Sequence, residues 1–582
     1  MEHRLKSWVA FAVAVTVLSG CSSNGEPTGK PDSTGAAAPS STGTAAPSGG
    51  SSMVRIKDKG VTAKGGTVYV LQDFDFTSLD PANNYETGSQ AVGRLIYRTL
   101  TFAKDTPGEE LSVQPDLAES LGTPSDGGRT WTYTLREGLK YEDGKPITAQ
   151  DVKYGVERSF DREIFPHGAT WMPDLLENET GFESPYATPA KDLTSVETPD
   201  DRTLVFHFSG PQSDADWIMS LPYTAPVPKA ADTKEAYGDR PVASGPYKIE
   251  DYRRDTSLSL VRNPNWDPAT DPNRPAYPDR FQIELNADTA SERLIKSEGN
   301  DTFAVPGGAT LAIEEFARLE DPAIKPRFVN GPTPCVENLT MNTQTLKDPD
   351  VRRAIALAID RQSLHTLWGG DLQSSVVASL IPSDLPGFVA PDLSLAPAGN
   401  PNEAKKLLAG KSVPPLRLPV SDSPSDSGQA EIDQIQSNLK TIGLEVVIDP
   451  KSDEEFATLV GGVDGWDLGT GSWCPDWPTA TTVVLPLMGP NADGTSWGPH
   501  NFAKYFDPKY SDPLQELKSS PEDSGAVAKR AVDIANEIQT TAWPYLPTLQ
   551  PNAPEVVGAN VTNVGISPLL GQVDLNTLAV KK

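Results

Sequence analysis

The spacing of apolar positions divides most of this chain into short elements with clear punctuation. From Gly65 to Leu71 the run Gly-Gly-Thr-Val-Tyr-Val-Leu predicts a buried strand, and Asp80-Pro81 starts the loop after it. Asn83, Asn84, Tyr85 and Thr87 lead into Val92, Leu95, Ile96 and Leu100, whose spacing is helical. Gln114 to Ser120 predicts a turn, Trp131 to Leu135 a half-buried strand, and Gly138 to Pro146 a second strand with a hairpin-like turn. Thr148 is placed to cap a helix, with Asp151 in its first turn and Val152, Val156 and Phe160 as its buried stripe. Arg202 to Phe208 alternates as a strand, which makes His207 a strand residue and not a base. Ser244 to Ile249 and Leu258 to Pro264 predict a strand pair closed by the turn at Asn265 to Pro268.

In the second half, Asp348 caps a helix with Pro349 at its first position, and Val351, Ile355, Ala358 and Ile359 form its apolar face. Another helix starts at Asn400-Pro401. Leu416 to Val420 predicts a strand, Ile432, Ile435, Leu439 and Ile442 a helix stopped by Gly443, and Leu444 to Ile448 a second strand. Strand, helix and strand imply a parallel pair with a right-handed crossover. The stretch from Gly465 is the next strand of that unit, and it breaks at Cys474-Pro475. Ligands of such sheets bind beyond the carboxyl ends of the strands, where Trp473, Cys474, Pro475, Asp476 and Trp477 fall. Asp476 lies between two tryptophans, an arrangement suited to an ammonium group; a turn whose aspartate caps a helix is the alternative. A last long helix runs from Ser520-Pro521 through Ile538.

The first residues change the picture of where this chain acts. A basic start, an apolar run from Trp8 to Leu18 too short to span a bilayer as a stable helix, and Leu18-Ser19-Gly20-Cys21 make a secretory signal over residues 1–20. Its ending resembles the bacterial lipobox, which implies lipidation of Cys21 and attachment to the outer face of the cell membrane. Residues 22–52 are almost all Ser, Gly, Thr, Ala and Pro, so the segment from Cys21 to about residue 60 is expected to be a flexible tether.

Length, charge and cysteines narrow the remaining choices. At 582 residues the chain has room for two or three packed lobes. A net charge of -29, from 79 acidic and 50 basic residues, excludes nucleic acid and an anionic membrane surface as main partners. Of 3 cysteines, Cys21 is assigned to lipid, leaving Cys335 and Cys474, 139 positions apart, to pair in an oxidising compartment. Five histidines and no Cys/His cluster argue against a metal site, and no cofactor motif is present. Catalytic signatures of hydrolases are absent too; neither His167 nor His500 sits in a recognisable setting.

Several blocks do match a known pattern. Pro115-Asp-Leu-Ala-Glu-Ser120, Trp131 through Tyr154, Ser244-Gly-Pro-Tyr-Lys248, Leu260-Val-Arg-Asn-Pro264 and Asn342 through Arg361 resemble the family 5 extracellular solute-binding proteins of ABC importers, the dipeptide/oligopeptide-binding cluster. They occur in family order from about residue 65 to 550. The resemblance implies an α/β, two-lobed periplasmic-binding-protein fold of class II type with an additional α+β subdomain. Residues 60–95, 235–334 and 549–582 would form lobe I, 96–234 the subdomain and 335–548 lobe II. It implies a non-enzymatic, monomeric protein that traps an oligopeptide by lobe closure and delivers it to the transmembrane subunits of an ABC permease. Carried onto this sequence, Asp476 takes the peptide α-ammonium, Cys474 beside it pairs with Cys335, Trp473 lines a side-chain pocket, and Tyr85 and Thr87 face them from lobe I. Some peptide binders have a basic residue for the peptide carboxylate where this chain has Thr470, so the carboxylate partner and the ligand length stay open. Alternatives are the same fold holding an oligosaccharide or metal complex, with Trp466, Trp473, Trp477 and Trp497 as stacking platforms, or a secreted hydrolase.

Overall fold

A computed structural model describes residues 54–581, apart from 179, 190, 309, 310, 519 and 521. The expected signal, Cys21 and most of the tether lie outside the described residues. The tether's last part is tied down: the backbone of Arg55 bridges to Asn330 and that of Lys57 to Val564, so the folded chain begins before residue 60.

The first strand, β1 (Thr67–Gln72), buries Val68 and Val70 on one face as its alternation requires. It leads through a loop into helix α1 (Thr87–Ile96), which Glu86 caps by accepting from the backbone N–H groups of Gly88 and Ser89. Leu100 lies beyond that helix. An insertion then builds a four-stranded antiparallel sheet from β2 (Thr123–Ser125), β3 (Thr130–Thr134), β4 (Val196–Glu197) and β5 (Thr203–His207), in the order β2-β3-β5-β4. Helix α2 (Ala149–Arg158) covers it, and the Asp151 carboxylate accepts from the Thr148 backbone N–H and hydroxyl at its start.

The chain returns to the first sheet with β6 (Tyr247–Arg253), β7 (Ser257–Arg262), β8 (Arg280–Glu284) and β9 (Ala304–Gly307). Their order is β9-β1-β8-β7-β6, and β1 lies between β8 and β9, both of which run parallel to it. After β10 (Phe328–Val329) comes β11 (Val336–Met341), the middle strand of the second α/β unit. Helices α3 (Pro349–Ala358) and α4 (Arg361–Leu367) follow, then β12 (Leu416–Ser421), α5 (Asp426–Thr441) and β13 (Val446–Lys451), with β12 and β13 parallel. Next to them lies β14 (Leu468–Trp473), antiparallel to β11, whose other neighbour is β15 (Tyr545–Pro547). Helix α6 (Ser524–Thr541) packs on that unit, and β16 (Glu555–Val556) pairs with β10 as the chain crosses back.

Four expectations need correction. Ser112–Pro115 is a strand paired with Thr101–Lys104, so part of the turn drawn from Gln114 is ladder; its half-buried side chains carry little apolar signal. Gly138 to Pro146 forms no strand: Lys140 and Pro146 make a single bridge, and Pro146 has no N–H to extend it. The hairpin of β6 and β7 turns at Asp255, which takes φ 57°, and not at Asn265 to Pro268, which follows β7. Helix α3 ends at Ala358, because Asp360 starts α4 by accepting from the backbone N–H of Ser363. Several helices went unpredicted, among them Asp453–Gly461, Thr481–Met488 and Pro508–Lys518; Pro486 and Pro513 sit inside the last two.

Buried ion pairs fasten the insertion to the first sheet. Arg158, fully buried on α2, makes two 2.7 Å bonds to the Asp80 carboxylate in the loop after β1. A second group joins Arg98 to Asp116 at 2.7 Å and Arg274 to Asp116 at 2.8 Å, with Asp271 beside both. Removing one member of such a pair strands its partner. Asp80→Ala is therefore expected to lower unfolding free energy by about 3 to 5 kcal/mol, measured by urea denaturation.

Candidate functional site

The site grows from the end of a strand ladder. Val336 lies opposite Trp473 in the β11–β14 pairing, and one step further a disulfide joins Cys335 to Cys474. Pro475 then prevents the ladder from continuing, and Asp476 follows on the loop. Asp476 keeps part of its surface open although protein surrounds it, the position of a residue in a cleft wall. Its Oδ1 accepts the hydroxyl of Tyr85, which comes from the segment before α1 and so from the other side of the cleft. Burial pushes the Asp476 carboxyl up to about 7, and no cation balances it among the described residues.

Immediately after Asp476 the chain is fastened again. Trp477 is inserted into the core of the insertion, edge-on to Trp171 at 5.0 Å between ring centroids. Its indole N–H donates to Asp214 Oδ2 at 2.9 Å, and the hydroxyls of Thr479 and Thr481 donate to the same oxygen. Ser524, at the start of α6, donates to Asp214 Oδ1 at 2.7 Å. Asp214 is buried, and this set of four donors meets its charge. Nothing in the local sequence around Asp214 marks it; only the fold brings its donors together.

The remaining expected residues have distinct places. Trp473 is half-buried, donates its indole N–H to the Thr482 carbonyl at 2.8 Å, and lies 5.9 Å from the His500 ring and 6.5 Å from that of Phe502. Thr470 pairs with Leu339 inside the ladder, half-buried. Thr87 is the first residue of α1, exposed, and its carbonyl accepts from Gln572. Trp466 and Trp477, proposed as stacking platforms, are buried and unavailable to a ligand, whereas Trp473 and Trp497 are partly open.

Sequence reasoning missed a second acidic patch close to the disulfide. Glu337, two residues past Cys335, is pushed up to about 7 by burial and by the nearby Glu431, against a bond from Ser472. Glu431, on α5, accepts the indole N–H of Trp368 at 3.1 Å, and burial raises its carboxyl as well. The signal was available only as a strand glutamate at a position where alternation points it toward the apolar side with Leu339 and Met341.

Comparison with known proteins adds the following. The family described as bacterial extracellular solute-binding proteins, family 5 Middle, matches residues 112–495. Glutathione-binding protein GsiB of Shigella dysenteriae serotype 1 (strain Sd197) and that of Escherichia coli (strain K12) are each 25% identical over 521 residues, covering 87% of this chain and 93% of theirs. Among solved structures, clavulanic acid biosynthesis oligopeptide binding protein 2 superposes with a TM-score of 0.80 at 31% identity, over 91% of this chain and 99% of that one. Haemophilus influenzae OppA complexed with RPPGFSPFR superposes at 0.63 with 20% identity, over 89% and 100%, a likeness of fold alone. The architecture is thus the two-lobed periplasmic-binding-protein fold with an additional subdomain.

Two carboxyls held near 7 in the folded chain and near 4 in the unfolded one bind protons more tightly when folded. Their contribution to stability is complete below about pH 4 and is lost as pH rises through 7. Unliganded protein is expected to melt at a higher temperature at pH 5 than at pH 8, and Asp476→Asn to reduce that difference, as read by calorimetry.

Proposed function

Because this chain belongs to the family 5 bacterial extracellular solute-binding proteins, we propose that it captures oligopeptides between its lobes and hands them to the transmembrane subunits of an ABC permease. The observation that carries this reading is the Asp476 carboxylate, half-buried, without a paired cation among the described residues, and reached from across the cleft by Tyr85. A peptide α-ammonium supplies the charge and donors that this carboxylate lacks, with Tyr85 beside it. Trp473, with His500 and Phe502, offers an aromatic wall for the side chain that follows.

The lobes we assign are residues 60–95, 235–334 and 549–582 for the first, 335–548 for the second and 96–234 for the subdomain. Three separate apolar cores support the division, one under the first sheet, one in the insertion and one under β11, β12 and β14. Trp477 and Asp214 join the second lobe to the subdomain. The lipid on Cys21 and the tether would keep this monomeric protein at the outer membrane face; no described helix is long and apolar enough to cross a bilayer.

A hydrolase is disfavoured by the single Ser/His/Asp string among the described residues that resembles a triad. His365 lies 3.1 Å from Ser374 Oγ and 3.0 Å from Asp371 Oδ1, but Ser374 is wholly buried, so no substrate carbonyl could reach it.

Calorimetric titration with di- to octapeptides tests the proposal. Acetylating the peptide amino terminus, or Asp476→Asn, is expected to cost about 2 to 5 kcal/mol of affinity; unchanged affinity in both would overturn the ammonium role. Because Asp476 must be ionised to hold the cation, affinity is also expected to fall more than about tenfold between pH 7.5 and 5.5. Titration of Asp476→Asn across the same range should lose that slope.

A further inference from the structure

A second group of unmatched polar atoms lies at the carboxyl end of β1, away from Asp476. Gln72 and Asp73 end that strand, and Gln72 pairs with Gly307 of β9 in parallel register. The next residue, Gly308, takes φ +106° and carries no side chain. A Cβ there would stand 3.3 Å from Asp73 Oδ1, 3.4 Å from Gln72 Nε2 and 3.4 Å from the Phe74 ring. These three groups therefore converge on one small space over bare backbone. Gln72 is only 2% exposed, and neither Gln72 Nε2 nor Asp73 Oδ1 has a hydrogen-bond partner.

Glu555 stands on β16, which packs beside β9 where the chain crosses back. Its side chain is 6% exposed, its carboxyl accepts no hydrogen bond among the described residues, and its charge interacts with that of Asp73. No lysine or arginine pairs with either carboxyl among the described residues. Burial raises both above the usual carboxylate range, and Asp73 adds to the effect on Glu555. A buried glutamate near a half-buried aspartate, with no cation paired to either, leaves room for something positive to share the site.

The place adjoins the candidate peptide site. A Cβ on Gly88, in the first turn of α1, would stand 3.4 Å from Gln72 Nε2, and Tyr85, which bonds Asp476, lies three residues before Gly88. The first turn of α1 thus separates the two acidic sites. We propose that Asp73, Glu555 and Gln72 form a second cation subsite of the cleft, taking the guanidinium or primary amine of a basic side chain on a peptide held at Asp476. This rests on the peptide reading given above. The two carboxylates accept the charged N–H groups, the Gln72 carboxamide, turned over so that its oxygen replaces Nε2 at the site, accepts another, and Phe74 presents its ring to the aliphatic stem.

The full chain is titrated with Lys-Ala-Ala, Ala-Lys-Ala and Ala-Ala-Lys, with their arginine counterparts, and with the same peptides carrying norleucine or citrulline. In at least one register the basic peptide is expected to bind at least about tenfold more tightly than its neutral counterpart. Asp73→Asn and Glu555→Gln are each expected to bring that ratio below about threefold. Equal affinity of basic and neutral peptides in every register overturns the proposal, and this comparison needs no variant to fold. A preference that survives in both variants also overturns it. If no peptide binds, free arginine and agmatine decide separately. Binding that depends on Asp73 keeps the subsite and fails the peptide reading, and no binding fails both.

Discussion

A carboxylate can stay without a cation in a cleft wall only if the chain on either side of it cannot move. Asp476 meets that condition twice. The Cys335–Cys474 bridge closes a loop of 139 positions and fixes the residue two places before it. In the chain-entropy account such a closure is worth roughly 4 to 5 kcal/mol. Asp214 fixes the other side, collecting donors from Trp477, Thr479, Thr481 and Ser524 in a buried place. Between these clamps, the backbone of Asp476 is held on both sides.

That rigidity sets the electrostatics of the whole cleft. Asp476, Glu337, Glu431, Asp73 and Glu555 are all raised by burial, and no described arginine or lysine pairs with any of them. Several other buried acids are met within the protein, Asp80 by Arg158, Asp116 by Arg98 and Arg274, and Asp214 by four neutral donors. The contrast separates two uses of buried charge. Paired acids hold the insertion against the first sheet, and among the unpaired ones are the groups proposed above to receive a cation.

How much of this was legible depended on whether the signal was local. Asp348 and Asn400 were readable as helix starts because a cap is a bond between residues two or three places apart, whereas the last long helix, expected from Ser520-Pro521, starts at Ser524 with Asp523 as its cap. The parallel β12–β13 unit followed from apolar spacing and one glycine. Where local signals were weak or misleading, the reading failed: the turn of the β6–β7 hairpin was placed after the wrong residues, and helices carrying Pro486 and Pro513 were overlooked.

The sequence by itself determined the strands and helices with clear periodicity, the one pair of cysteines available to each other, and the position of Asp476 at the end of a strand. These depend on neighbours along the chain or on arithmetic. Only the tertiary structure decided that Tyr85 reaches Asp476, that Trp477 leaves the cleft for a core, and that Asp214 gathers its four donors. The same holds for Gln72 and Asp73, which meet over Gly308, and for Glu555, whose charge reaches Asp73. Asp73 and Glu555 stand 482 positions apart in number, and side chains that distant are brought together by the packing of whole sheets, which no short-range pattern records.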